Sequence, residues 1–197
     1  MLTYLSYLLP LAAYLFGSIS TAVVISRVMG LQDPREVGSK NPGATNILRY
    51  GGKVAAVLTL AGDVLKGILP VLLARALTTD AVTITLCGFA AFLGHLFPVF
   101  FSFRGGKGVA TALGVWLAIN PWVGISLVVT WALMALLFRY SSLSALTAAI
   151  AAPFYVAWLS PGVPYLSTMI VMSAILIFRH RSNIRNLIAG KETRIGR

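Results

Sequence analysis

The chain has 197 residues, of which 58% are apolar and only 11% charged, where an average soluble domain carries about 25% charged residues. With a mean hydropathy of +0.86, this composition excludes an ordinary water-soluble globule and makes the bilayer the solvent. The net charge of +11 does not indicate a nucleic-acid binder. The lysines and arginines form no patch on a polar domain but fill short gaps between apolar runs, as positive-inside loops do.

The first apolar run, about 4–26, has no basic segment before it and reads as a span rather than a cleavable leader. A polar stretch follows from Arg27 to Lys53, rich in Gly, Asn and charge. Further runs cover about 54–77 and 81–103, separated by Thr78-Thr79-Asp80. After Arg104-Gly105-Gly106-Lys107-Gly108 the apolar stretch 109–138 is long for one span. It breaks at Asn120-Pro121, where proline removes a helix hydrogen bond. Runs at about 143–160 and 163–178 complete the series, and a basic tail closes the chain.

Charge decides between one span and two at 109–138. With a turn at Asn120-Pro121, every Lys and Arg except Lys66 and Arg75 falls on one side. With a single span there, Arg139 and the whole tail change sides. The positive-inside rule therefore predicts an all-α membrane protein of about seven helices. Its N-terminus is expected outside (periplasmic) and its C-terminus in the cytoplasm, with 1–197 forming one polytopic domain. Segment 109–119 would then be only about 15 Å long. It would follow a Gly105–Gly108 loop dipping into the membrane, shielded by protein.

Two polar segments carry the chemistry. Gly38-Ser39-Lys40-Asn41-Pro42-Gly43-Ala44-Thr45-Asn46, followed by Arg49, combines tight-turn residues with hydroxyls, amides and cations. Thr45 or Asn46 is a natural start for a short helix whose N-terminus favours an anion. Gly105-Gly106-Lys107-Gly108 before an expected helix makes a second phosphate cradle. It is not a Walker A loop, because no glycine stands at the required upstream spacing and Lys107 is followed by Gly108.

Several further residues have two readings each. His95, in Gly94-His95-Leu96-Phe97-Pro98, is either a base or a hydrogen-bond partner of a carbonyl inside the bundle. Asp63 and Lys66, three apart on one helix face, form a buried ion pair that is either structural or ligand-binding. Ser141 and Ser142 either cap a helix or bind phosphate. The tail is either a basic anchor on anionic lipid or a clamp in which His180, Asn183 and Glu192 fold back. Cys87 is the single cysteine and reads as a buried hydrophobe. The scattered acids form no catalytic pair, and no metal or cofactor is expected. A reaction run by such residues needs a substrate with a good leaving group.

The motif at 38–46, the run Gly94-His95-Leu96-Phe97-Pro98 with Gly105-Gly106-Lys107-Gly108-Val109-Ala110-Thr111, and the His180, Asn183, Gly190, Glu192 tail resemble, in order, the bacterial acyl-phosphate:glycerol-3-phosphate acyltransferases, the PlsY family. The resemblance covers the whole chain, Asp63, Lys66 and Gly67 included. It implies transfer of a fatty acyl group from acyl-phosphate to glycerol 3-phosphate, giving lysophosphatidic acid and phosphate at the cytoplasmic face of the bacterial inner membrane. A PlsX-type enzyme would supply the donor. The expected catalytic residues are Lys107, Ser39, His180 and Asn183. The expected phosphate ligands are Ser39, Asn41, Thr45, Asn46, Arg49, Gly105, Gly106, Lys107, Gly108, Ser141 and Ser142, supported by His95, Asp63, Lys66 and Glu192. A membrane transporter of an organic phosphate is the alternative, though transporters often show repeated halves and none is visible. A phosphatase would need a histidine nucleophile with paired acids or a metal, and a purely structural subunit would not need two basic glycine-rich loops.

Overall fold

In the computed structural model, which describes residues 2–196, all regular structure is helical. Helices α1 (Leu2–Gly17), α2 (Thr21–Val28), α3 (Ala44–Tyr50), α4 (Gly52–Leu77) and α5 (Ala81–Leu96) are followed by a 3-10 turn at Val99–Phe101. Helices α6 (Val109–Ile119), α7 (Pro121–Phe138), α8 (Ser141–Leu159), α9 (Val163–Arg179) and α10 (Arg181–Ile188) complete the chain. Five stretches among the described residues are long and apolar enough to cross a bilayer: Ser6–Val28, Gly52–Leu77, Ala81–Phe101, Pro121–Phe138 and Ser141–Leu159. The pair α9 and α10, bent by 57°, makes a sixth if taken as one span. Leu60, Leu69, Leu72, Leu133, Leu136 and Phe154 are among many large apolar side chains left exposed. In water such surface would aggregate; against lipid tails it is the expected exterior of an all-α integral membrane protein.

The chain forms two compact units, Met1–Ile119 and Asn120–Arg197. In the first, lipid offers helices no hydrophobic reason to associate, so close backbone approach does the work. A methyl group added at Gly17 would stand 2.2 Å from Ala91 O, and one at Gly94 2.3 Å from Tyr14 O, so α1 and α5 touch through their glycines. Likewise α4 and α6 meet where Gly67 faces Thr111 O and Gly114 faces Val64 O.

The first apolar stretch counts as one span yet is two helices. Its break at Ser18-Ile19-Ser20 frees backbone groups that must be satisfied internally. Ser18 Oγ donates to Tyr14 O at 2.8 Å, and the Ile19 carbonyl accepts from Lys66 Nζ at 2.9 Å. Asp80 caps α5, accepting from Thr83 N at 2.8 Å and Thr83 Oγ1 at 2.6 Å. Near the same turn Arg75 Nη1 donates to Ala118 O and, at 3.4 Å, to Ile119 O, closing the C-terminus of α6. The two cations that break the positive-inside pattern are thus both engaged, Lys66 by Asp63 and Arg75 by helix-end carbonyls.

In the second unit Asn120 caps α7, accepting from Trp122 N at 2.9 Å, and Pro121 occupies the first helical turn where its missing N–H costs nothing. Asn120 Nδ2 also donates to Leu159 O at 2.8 Å and Ser160 Oγ at 2.7 Å, tying the start of α7 to the end of α8. Arg139, in the left-handed conformation at φ 62°, ends α7.

Candidate active site

The first polar loop is organised around one buried side chain. Asn46 Nδ2 donates to Pro34 O at 3.0 Å and to Val37 O at 3.1 Å, while its Oδ1 accepts from Ser39 N at 2.9 Å. Gly38 sits at φ +59°, and a methyl there would lie 2.3 Å from Asn46 Oδ1, so only glycine fits that turn. Both amide protons of Asn46 are spent on loop carbonyls, which leaves it no donor for a phosphate. It shapes the loop on which Ser39, Lys40 and Thr45 are exposed. The short helix begins at Ala44 with Gly43 at its N-cap, one residue before Thr45.

A second set of bonds ties this loop to the turn after α5. Arg35 chelates Asp33, with Nη2 to Oδ2 at 2.6 Å and Nε to Oδ1 at 2.9 Å. Arg35 Nη1 donates to Phe101 O at 3.3 Å, and Arg104 Nη2 donates to Arg35 O at 3.4 Å. The Arg35 hydrogen bond holds the Asp33 carboxyl below its usual range against the opposing effect of burial, and the same bond raises Arg35. Burial pushes the Tyr50 phenol up. Asp33 and Arg35 had no motif to announce them, their close spacing being the one signal that could have found the pair, and Arg104, at the head of the glycine loop, carried no cue to its partner Arg35 O.

The glycine-rich loop lies directly on the end of α5. Gly106 N donates to His95 O at 3.2 Å. A methyl at Gly105 would stand 2.1 Å from His95 O, and one at Gly108, itself at φ +88°, 2.3 Å from Phe92 Cε2. Glycines at 105 and 108 are therefore needed for the backbone to come this close. Gly108 O accepts from Ala112 N at 2.8 Å, so α6 starts directly after Gly108 and two residues after the half-buried Lys107. The N–H groups of a helix start and a lysine share one short segment, an arrangement suited to an anion.

Behind the loop, Lys66 Nζ lies 2.8 Å from Asp63 Oδ1, and His95 Nδ1 lies 3.5 Å from the same oxygen. All three side chains are buried.

In the second unit the tail folds back onto the α7–α8 turn. Glu192 Oε1 accepts from Ser142 Oγ at 2.6 Å and from Asn183 Nδ2 at 2.7 Å. Ile195 N donates to Arg139 O at 2.7 Å, and the Arg194 guanidinium lies 5.4 Å from the centre of the Tyr140 ring. Tyr140, not a serine, occupies the N-cap position of α8, and the Ser142 hydroxyl is given to Glu192 instead. His180 is buried, its Nδ1 2.8 Å from Leu176 O. That bond selects the Nδ1–H tautomer of the neutral ring and makes Nε2 the basic nitrogen.

The site residues thus form, in the first unit, a group from the first loop (Ser39, Asn41, Thr45, Asn46, Arg49), the glycine loop with Lys107, and the Asp63, Lys66, His95 cluster. In the second unit Ser142, Asn183 and Glu192 are joined by hydrogen bonds. Comparison with known proteins adds the lineage. The family described as "Glycerol-3-phosphate acyltransferase" matches residues 7–190. A glycerol-3-phosphate acyltransferase of Thiobacillus denitrificans is 54% identical over 96% of this chain and 97% of its own. One from Ralstonia nicotianae is 56% identical over 94% of this chain and 91% of its own. The crystal structure of PlsY (YgiH), an integral membrane glycerol 3-phosphate acyltransferase, in its glycerol 3-phosphate form, is similar with a TM-score of 0.92. It is 44% identical, with 97% of this chain and 96% of that one covered. Motif order, glycine-loop geometry and similarity along nearly the whole chain agree, and the chain belongs to the glycerol-3-phosphate acyltransferase family of integral membrane proteins.

Proposed function

We propose that this acyltransferase moves a fatty acyl group from acyl-phosphate to the 1-hydroxyl of glycerol 3-phosphate, forming lysophosphatidic acid and inorganic phosphate without a covalent acyl-enzyme. The observation that carries the donor assignment is the engagement of the acids. Of five Asp and Glu residues, Asp33 is chelated by Arg35, Asp63 pairs with Lys66, Asp80 caps a helix and Glu192 holds the tail. Those four already have structural partners, and the fifth, Glu36, is exposed, so no buried carboxylate is held ready as a base. A mixed anhydride, whose phosphate leaves readily, fits that chemistry, and catalysis then rests on positioning and charge stabilisation.

In this reading the hydroxyl oxygen attacks the acyl carbonyl carbon. The ester C–O bond forms, the bond from carbonyl carbon to phosphate oxygen breaks, and phosphate leaves with the electron pair. The hydroxyl proton passes to a phosphate oxygen of a substrate, with His180 the side-chain alternative. Ser39, Asn41, Thr45, Arg49, Lys107 and the N–H groups of Gly105 and Gly108 hold phosphate, Gly106 contributes by seating the loop through its N–H on His95 O, and Lys107 also stabilises the oxyanion. Asn46 contributes by shaping its loop. In the second unit Ser141, Ser142 and Asn183 are further polar groups for phosphate in this reading, with Glu192 holding Ser142 and Asn183. The basic loops support an active site that faces the cytoplasm at the inner membrane, and a PlsX-type enzyme would supply the acyl-phosphate there.

The test is phosphate release by purified protein given palmitoyl-phosphate, with and without glycerol 3-phosphate, beside Lys107→Ala. The expected result is release that requires the acceptor, yields lysophosphatidic acid and collapses in the variant. Release without acceptor would make the protein a hydrolase, and an acyl group trapped on Ser39 would rule out direct transfer.

A further inference from the structure

Gly106 is the point where three parts of the first unit meet. A methyl group added there would stand 2.3 Å from His95 Nε2 and 3.2 Å from Pro42 O. The imidazole of α5 therefore lies against the glycine loop on one edge, and the first loop closes on it from the other. The opposite edge of the same ring faces the interior, with Nδ1 3.5 Å from Asp63 Oδ1. Asp63 is held in turn by Lys66 at 2.8 Å, and Lys66 donates to the Ile19 carbonyl at the α1–α2 break at 2.9 Å. Polar contacts run from the broken first span through α4 to the His95 ring on α5, and that ring packs against the backbone one residue before Lys107.

We propose that His95, fixed by the Asp63–Lys66 pair, is a positioning residue that sets where the Gly106-Lys107 backbone lies, and so where the lysine and loop N–H groups meet phosphate. Three features support this. The ring has no slack, since its Nε2 edge lies within a methyl's reach of Gly106. The Asp63–Lys66 pair is buried, and ionic groups at membrane depth are costly to keep there without a use. Lys66 anchors on a carbonyl that exists as an acceptor only because α1 is broken, so the helix break and the ion pair depend on each other. His95 touches the loop and is not assigned a proton-transfer step. The inference rests on the acyl-transfer reading for its kinetic readout, and a displacement of about 1 Å is enough to matter, costing about 100-fold in rate.

The experiment compares wild type, His95→Ala, His95→Gln, Gly106→Ala, the double variant His95→Ala/Gly106→Ala, and the charge-neutral double Asp63→Asn/Lys66→Met. Each is measured for kcat and KM with palmitoyl-phosphate and glycerol 3-phosphate, and for thermal midpoint in the same detergent. His95→Ala is expected to lower kcat/KM about 100-fold. His95→Gln, whose terminal amide reaches the position of Nε2, should recover most of that loss. Gly106→Ala should cost about 100-fold in the wild-type background but less than about threefold beside His95→Ala, where the ring clash is gone and only Pro42 O, at 3.2 Å, must give by a few tenths of an ångström. Asp63→Asn/Lys66→Met should lower kcat/KM by at least about tenfold with the ring intact.

Equal cost of Gly106→Ala in both backgrounds would overturn the proposal. So would full activity of His95→Ala, full activity of the Asp63→Asn/Lys66→Met protein, or losses that track the thermal midpoint alone with no rescue by glutamine. If wild type itself releases no phosphate, it is the acyl-transfer reading that fails. The same cycle is then read from thermal midpoints, where Gly106→Ala must lower the midpoint only when His95 is present.

Discussion

Glu192 Oε1 takes two hydrogen bonds at once, from Ser142 at the start of α8 and from Asn183 on α10, at 2.6 and 2.7 Å. A single carboxylate oxygen therefore joins the chain end to a helix start that lies fifty positions earlier. Hydrogen bonds to a charged group contribute about 1.5–3 kcal/mol each. Glu192→Ala should loosen the tail by about 2–3 kcal/mol. Amide exchange at Lys191 and Ile195, whose N–H groups bond to Asn186 O and Arg139 O, would then speed up about 30- to 150-fold. Glu192→Gln keeps an acceptor without the charge and should fall between the two. Unchanged exchange in the alanine variant would show that the carboxylate does not hold the tail.

Asn46→Asp is nearly isosteric, yet it should be worse than it looks. The Nδ2 group now donates to two carbonyls, Pro34 O and Val37 O. An aspartate would point an acceptor at both. Leaving buried acceptors unmet costs about 1–3 kcal/mol each. Thermal unfolding in detergent should therefore show Asn46→Asp less stable than wild type by several degrees, with the greatest loss at neutral pH, where the new carboxyl is charged. A variant as stable as wild type would mean that the loop does not depend on this amide.

Acid should loosen the first loop through Asp33. Its folded carboxyl is depressed by the Arg35 hydrogen bond, so the pair contributes stability above the unfolded carboxyl value of about 3.9. That contribution is lost as pH falls through the lower, folded value. Amide exchange at Glu36, whose N–H bonds to Asp33 O, should rise when pH is lowered below about 4 after correction for intrinsic rates. In Asp33→Asn the same loosening should already be present at neutral pH and should not grow with acid. A wild-type loop indifferent to pH would remove the ion pair from this account.

Two glycines with left-handed backbones should respond differently to alanine. At Gly190, φ +68°, an added methyl meets nothing within 4 Å, so Gly190→Ala carries only the backbone penalty of about 1–2 kcal/mol. At Gly108, φ +88°, the methyl also meets Phe92 Cε2 at 2.3 Å and Leu96 Cδ1 at 2.7 Å. Overpacking adds about 1–3 kcal/mol. Thermal midpoints should rank wild type above Gly190→Ala and Gly190→Ala above Gly108→Ala; equal midpoints for the two variants would show that the Phe92 contact yields.

The helical class was legible because apolar runs bounded by turn chemistry are local features. Asp80 caps α5 and Asn120-Pro121 starts α7, and both stood in plain view. The break between α1 and α2 was not legible. Gly17 and Ser18 are common inside membrane helices, and the local cue is overridden by tertiary contacts: Gly17 pressed against Ala91 and Lys66 on the Ile19 carbonyl. The glycine loop could be read as a phosphate cradle from composition, whereas its seat on His95 depends on a fold no motif describes. Asn46 illustrates a role that composition does not reveal. An amide among glycines reads as a ligand, but a sequence does not reveal that its donors are already committed to Pro34 and Val37. Glu192 carried no local signal for Ser142, because its partner is remote in the chain.

Arg75 at the C-terminal carbonyls of α6 has an electrical consequence. A helix carries a partial positive pole at its start and a partial negative pole at its end. In this 11-residue helix the negative pole is neutralised by a guanidinium, while the positive pole at Val109 adjoins Lys107 and the glycine backbone. The short segment is therefore polarised in one direction only, an asymmetric element that attracts anions at one end and is electrostatically quiet at the other.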